Sequence, residues 1–306
     1  MKRSIQNFSP FIQLSTDTTL KSADSSGNKN YKNILWTTDI SQELPVFLGK
    51  DEISSMKPTT VMEVFEEAVN SEKDNPALFI ERDNKWISYT WLQFHKNVIN
   101  FAKAAISIGV DPYQTVNILG NNSPEWFFAF LGGIYSCVIP VGIYLTNNTE
   151  TCMYIAQHSN CGILCVDSVE QFKKYEKNLS DLKKLKAVVI WEQLDSNTLK
   201  GFINQYVPVY SFEDFISIGD RATVDIEFYN RIDKQKPGNC SNVVYTSGTT
   251  GNPKAVLLSH DNITYTCKAG KTLFNDKLPD RLRIVSYLPL SHIAGQIFDI
   301  MSKYIY

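Results

Sequence analysis

Tyr245-Thr-Ser-Gly-Thr-Thr-Gly-Asn-Pro-Lys-Ala-Val-Leu-Leu-Ser259 is the stretch on which the reading of this chain turns. It follows Asn242-Val243-Val244, a short run that predicts a buried strand. Six of the seven residues from Thr246 to Asn252 are Thr, Ser or Gly. They supply hydroxyl donors, and glycines at Gly248 and Gly251 let backbone N–H groups turn toward an anion with no Cβ in the way. Pro253 stiffens the exit, and Lys254 adds a point charge suited to phosphate. A polar, glycine-spaced loop with a lysine, directly after a strand, is a phosphate cradle on physical grounds. By composition alone it is equally a Ser/Thr/Gly surface loop. It is not the Walker-type loop. The one Gly270-Lys271-Thr272 has Tyr265 where that loop needs its first glycine.

Length and composition bound the rest. A chain of 306 residues can bury one large core or two moderate ones. With 43% apolar and 20% charged residues it has an ordinary globular composition. A net charge of −2 gives no electrostatic case for nucleic acid or an anionic membrane. No uncharged apolar run reaches the roughly 18 residues of a membrane span, so any membrane contact would be peripheral. Met1-Lys-Arg-Ser-Ile-Gln-Asn lacks the apolar core of a secretory signal. Six scattered cysteines with no C-x-x-C pair predict buried, reduced thiols and a cytoplasmic setting.

Residues 1–44, rich in Ser, Thr, Asn and Lys, are expected to be a mobile N-terminal extension. Regular patterning begins near Thr59. Thr60-Val-Met-Glu63 is a capping box with Val61, Val64, Phe65 and Ala68 on one helical face. Ala77–Glu81 and Lys85–Tyr89 predict a hairpin across Asp83-Asn84, and Thr90-Trp-Leu-Gln93 opens a long helix ending at Gly109. Strands then alternate with helices: strand Val116–Leu119, a helix from Asn122 to Tyr135, strand Val138–Tyr144, helix Asn148–His158. Strand Ile163–Val166, helix Val169–Leu179 and strand Ala187–Trp191 continue the series. That series predicts a doubly wound, mostly parallel α/β sheet with helices on both faces. Further on, a strand near Val207–Tyr210, helices at Phe212–Ile218 and Asp261–Phe274, a strand at Ile284–Leu288 and a helix at Ser291–Tyr304 are expected.

The string Tyr245-Thr-Ser-Gly-Thr-Thr-Gly-x-Pro-Lys254, specified at nine of ten positions, resembles the signature of the adenylate-forming superfamily. Ala255 departs from that pattern, which usually has Gly after the lysine; the substitution is costly only if the backbone there needs positive φ. Tyr287-Leu-Pro-Leu-Ser-His292-Ile-Ala-Gly-Gln296 resembles the second core motif of acyl-CoA synthetases. Asn121-Asn-Ser-Pro-Glu-Trp126, Gly142-Ile-Tyr-Leu-Thr146 and Leu258-Ser-His-Asp-Asn262 are similar to long-chain acyl-CoA synthetases, most closely the bubblegum type. The resemblance covers roughly residues 45–306 and implies part of the large N-terminal, AMP-binding domain. His95, His158 and His260 lack such company and read as structural. The aromatic run Trp126, Phe127, Phe128 and Phe130 covers too much of a helix circumference to line one face of an acyl tunnel, so it reads as core.

The resemblance implies a two-step ligase using ATP, Mg²⁺, a fatty acid and coenzyme A. A carboxylate attacks the ATP α-phosphate to give acyl-adenylate and pyrophosphate, and the CoA thiol then displaces AMP. It assigns the β- and γ-phosphates to Ser247, Gly248, Thr249, Thr250 and Gly251, and the metal to the hydroxyl of Thr246. Lys254 would screen pyrophosphate and His292 would steady charge at the carboxylate, as the catalytic pair. The family's Tyr-Gly-x-Thr-Glu segment, its ribose-binding Asp and its C-terminal catalytic-lysine domain have no match in the sequence. The chain is therefore expected to be incomplete for the full reaction. The alternative is a truncated, non-catalytic homologue that binds nucleotide or acyl ligand at most.

Overall fold

The computed structural model describes residues 35–194, 202, 207–246, 251–274 and 283–301. Of the extension expected over 1–44, residues 1–34 lie outside this set. At Leu44 the backbone N–H donates to Gly238 O at 3.0 Å.

Helix α1 (Val61–Glu72) starts where the capping box predicts. Thr60 Oγ1 accepts from the Glu63 N–H, and the Glu63 carboxylate accepts from the Thr60 N–H at 2.6 Å. Strands β1 (Pro76–Arg82) and β2 (Lys85–Thr90) form an antiparallel hairpin. Asp83 and Asn84 turn it with φ of +50° and +58°, the left-handed pair that a tight two-residue connection requires. The Thr90–Gln93 capping box then opens α2 (Trp91–Ser107).

The body is a seven-stranded sheet in the order β7-β6-β5-β3-β4-β8-β9. It is built from β3 (Thr115–Leu119), β4 (Ile139–Ile143), β5 (Cys161–Val166), β6 (Ala187–Ile190), β7 (Val209–Ser211), β8 (Cys240–Thr246) and β9 (Lys254–Ser259). Every neighbouring pair is parallel except β8–β9. Between strands run α3 (Pro124–Tyr135), α4 (Thr149–His158), α5 (Val169–Glu176), α6 (Phe212–Arg221) and α7 (Asp225–Lys234). After β9 comes α8 (His260–Phe274).

Strand residues alternate between two cores. Ile163, Cys165, Ala187 and Val189 pack with α1, α2, α3 and α6, while Leu164, Val166, Val188 and Ile190 pack with α4 and α5. Burial on both faces is what near-continuous apolar strands require. The aromatic run of α3 lies wholly in the first core, as the sequence predicts. All six cysteines are buried and free.

Three expectations need correction. No strand forms over Ile284–Leu288. The helix expected at Ser291–Tyr304 is a single turn, Ile293–Gly295, running into a π-helical segment, Gln296–Met301; residues 302–304 lie outside the described set. Lys254–Ser259, read with the loop, is instead strand β9, paired antiparallel with β8 before any helix begins. The sequence also gave no warning of α7.

Candidate active site

Strands β3, β4 and β8 run parallel, so their C-terminal ends share one edge of the sheet. The chain goes from β3 to β4 on one side, then returns to β5 on the other side of β3. Such a reversal opens a crevice at the strand C-termini, where open α/β sheets bind ligands. Of the residues singled out from sequence, Thr246, Gly251, Lys254 and His292 are described, and they lie toward this edge.

Thr246 closes β8 and is exposed. Its cross-strand partner is Lys254, the exposed first residue of β9. The hydroxyl and the ammonium therefore stand at the neck of one hairpin. Gly251 has φ of +82°, a left-handed conformation that side chains rarely adopt. Ser247, Gly248, Thr249 and Thr250 lie outside the described residues. Ala255 pairs opposite Tyr245 in the β8–β9 ladder and is not among the positive-φ residues, so the departure at this position carries no backbone strain.

The base of the hairpin is anchored from α4. His158 Nδ1 lies 2.7 Å from the Tyr245 hydroxyl, and Tyr154 stacks on the His158 ring at 5.3 Å. Burial raises the pKa of the Tyr245 hydroxyl, so it stays neutral and serves as a hydrogen-bonding handle. The structural reading of His158 fits this role. His95, bonded to Glu66 at 2.9 Å, and the buried His260, which accepts from the Val61 N–H, are placed likewise.

His292 reaches the same edge by a close backbone approach. A Cβ on Gly142 would lie 2.7 Å from Ser291 Cα, so only glycine lets the His292 segment seat on β4. Gly142 is itself in register with Val244 of β8, two positions before Thr246. The His292 ring is exposed and meets Tyr144, just beyond β4, at 6.4 Å and 65°. Its Nδ1 accepts from the Ala294 N–H at 3.1 Å. That bond leaves the neutral ring its proton on Nε2, as a donor.

Sequence reasoning missed the side chains that hold this segment. The Asn122 amide N–H₂ reaches Ser286 Oγ at 2.8 Å and the carbonyls of Ser286 and Leu288 at 3.1 and 2.7 Å. Its carbonyl accepts from the Leu290 N–H at 3.1 Å. Gln296 donates to Leu290 O at 3.0 Å and accepts from Asn242 of β8 at 2.8 Å. Ser286 Oγ in turn lies 2.7 Å from Asp299. Nearby, Arg82 of the hairpin grips Glu125 in the first turn of α3 with bonds of 2.8 and 2.7 Å. Only Gly142, an isolated glycine within an apolar strand, was a legible signal of close approach.

An edge that presents a glycine-turned hairpin neck with hydroxyl and lysine, beside a histidine seated on the next strand, agrees with what sequence comparison finds. Residues 65–305 match the family described as AMP-binding enzyme, and the chain belongs to that family. It is 37% identical over 269 residues to the long-chain-fatty-acid–CoA ligase ACSBG2 of Xenopus laevis, covering 87% of this chain and 35% of that protein. It is 38% identical over 269 residues to the human long-chain-fatty-acid–CoA ligase ACSBG1, covering 87% of this chain and 36% of that one. Both relatives are of the bubblegum type, as the sequence resemblance implied. The chain thus spans about a third of the length of the curated relatives it matches. Among solved structures, the A-PCP didomain of the carboxylic acid reductase of Segniliparus rugosus, in complex with AMP, superposes with a TM-score of 0.65 at 17% identity. That match covers 82% of this chain and 38% of the other. The fatty acyl-adenylate ligase of L. pneumophila, in complex with acyl adenylate and pyrophosphate, gives 0.59 at 20%, covering 83% and 39%. These structures establish the fold. No helix among the described residues is long and apolar enough to cross a membrane.

Proposed function

We propose that this chain carries the phosphate- and carboxylate-binding edge of a long-chain fatty acid–CoA ligase, and that by itself it is incomplete for the full two-step reaction. The observation that supports this most is the shared edge: Thr246 and Lys254 paired across the hairpin neck, with His292 seated on the neighbouring strand. A fatty-acid carboxylate would attack the α-phosphate of ATP. The new bond is acyl oxygen to phosphorus, and the bond that breaks releases pyrophosphate. Two anions meet in that step, so positioning and charge neutralisation matter more than a protein nucleophile.

The roles are those that the family resemblance implies, and they are consistent with the chemistry of the step. Backbone N–H groups and hydroxyls of Ser247, Gly248, Thr249, Thr250 and Gly251 would hold the β- and γ-phosphates. Lys254 would neutralise the departing pyrophosphate, and the His292 Nε2–H would donate to a carboxylate or α-phosphate oxygen. A single Thr246 hydroxyl suits Mg²⁺, which keeps several waters and binds chiefly through substrate phosphates. When bound, that ion would supply charge neutralisation between phosphate oxygens. Coenzyme A would enter in the second step, displacing AMP. The same reading has the chain act in the cytoplasm, with membrane contact peripheral.

The test is fatty-acid-dependent ATP–pyrophosphate exchange on the purified chain, with Lys254→Ala and His292→Ala beside it. Binding of ATP without exchange is expected from a chain that holds half of a site. Exchange abolished by both substitutions would establish the adenylation chemistry and overturn the incompleteness. A cooperatively folded sample that binds neither ATP nor fatty acid would overturn the reading.

A further inference from the structure

We propose that Asn122 and Gln296 form a paired amide clamp on Leu290, making them positioning residues that set His292 and tie it to the strand bearing the phosphate loop. The inference rests on the functional reading above for its consequence, but not for its geometry. Leu290 lies two residues before His292, and both of its backbone polar groups are gripped by side chains. Its N–H goes to Asn122 and its C=O to Gln296. The residue is 1% exposed, so neither group has water as a substitute.

No strand ladder runs through this segment, and side chains do its work instead. Asn122 spends its whole amide on residues 286–290. Gln296, 1% exposed, spends its own on Leu290 and on Asn242, which is fully buried in β8 four residues before Thr246. A line of amides, half-buried at Asn122 and buried at Gln296 and Asn242, therefore runs from just before α3, through the backbone before His292, to the strand that ends in the hairpin neck. Such a connected, satisfied network favours one arrangement over near alternatives. Between Leu290 and the ring only Ser291 intervenes, and Ser291 is pressed against Gly142. The His292 backbone closes on the same frame, because its C=O accepts from the Gln296 N–H at 3.1 Å.

The test combines site-resolved amide hydrogen exchange with ATP–pyrophosphate exchange on the same chain. Asn122→Ala and Gln296→Ala should each raise exchange at the Leu290 and Ala294 amides at least about tenfold, the opening expected when a buried hydrogen bond is lost. The Leu131 amide in the middle of α3 should not change. Where the wild-type chain exchanges pyrophosphate, the alanine variants should lower kcat about tenfold or more with KM for ATP within about twofold, the signature of lost alignment rather than lost binding. Unchanged Leu290 and Ala294 amides, or a rise shared equally with Leu131, overturns the clamp. If Asn122→Ala fails to fold, Gln296→Ala decides, since it leaves α3 untouched. A wild-type chain that binds neither ATP nor fatty acid but shows the expected amide pattern would refute the functional reading and leave the clamp standing. A chain that binds ATP without that pattern does the reverse.

Discussion

Between Thr115 and Ile190 the backbone bonds chiefly to itself, whereas between Ile284 and Leu290 it is held largely by side chains. The first region has four fully buried strands, each hydrogen-bonded to parallel neighbours and flanked by capped helices. The second has a run, Ile284–Leu288, with every intrinsic preference of a strand and no strand beside it. Val285 and Tyr287 are 82% and 78% exposed, and the carbonyls of Ser286 and Leu288 turn to Asn122. The difference teaches that β-propensity describes a fit to a neighbouring pleated surface, and where no neighbour is present it forms nothing. His292, to which the proposal gives the carboxylate, follows the stretch whose geometry depends on a few amides, and the buried strands lie in the other region.

The hardest way to break that contrast is to cut into the core on which the first region packs. Phe101 is fully buried in α2, with Phe215 at 5.0 Å. Phe101→Ala should cost about 3–5 kcal/mol in urea denaturation, a large share of the stability of an ordinary domain. Tyr287→Ala in the second region should stay within about 0.5 kcal/mol. Comparable losses from the two would erase the distinction.

Gly142→Ala tests the seam between the regions. The added Cβ meets backbone at Ser291 and also lies 3.3 Å from the Trp126 ring, so nothing nearby yields cheaply. The expected cost is about 1–3 kcal/mol. Where the chain supports pyrophosphate exchange, a larger fractional loss in exchange than in stability would show that the seam positions His292; where it does not, faster hydrogen exchange at the Ala294 amide would show the same. Equal losses would mean that it only packs.

How legible these regions were follows the same division. Capping boxes at Thr60 and Thr90, the Asp83-Asn84 turn and the strand–helix alternation from Val116 to Trp191 are local signals, and the elements formed within a few residues of where the sequence set them. Strand β9 was missed because glycines and polar residues before it masked a hairpin, and Lys254–Ser259 is a strand only through its pairing with β8. Asn122 could be read as part of a helix start, but not as the partner of Leu290, which is 168 residues away. Long-range amide pairing leaves no periodicity to read.

A smaller effect probes how the first core is held at its edge. His260 is fully buried at the start of α8. Its Nδ1 accepts from the Val61 N–H, and its other nitrogen meets Gln235 Oε1 at 3.2 Å. Burial pushes its pKa down to about 3, against 6.5 for an ordinary histidine. The unfolded chain therefore binds this proton first, so the contribution is intact above pH 6.5 and is lost progressively as pH falls toward 3. Between about pH 7.5 and 5.5 the loss should be about 1.4 kcal/mol. The difference in stability between the wild type and His260→Gln, followed by urea denaturation against pH, should shrink by that amount over the window. A pH-independent difference would mean that the folded state admits the charged ring.

The smallest expected effect concerns the one departure from the family signature. Ala255 lies in the β8–β9 ladder opposite Tyr245, with its methyl packed against the second core. Restoring glycine there would remove that contact and free the unfolded backbone. Ala255→Gly should therefore destabilise by about 0.5–1 kcal/mol rather than repair anything. Pyrophosphate exchange, where the chain supports it, should not rise, because the strand backbone asks for no left-handed residue at this position. A gain in exchange with Ala255→Gly would mean that the hairpin neck must flex for the reaction.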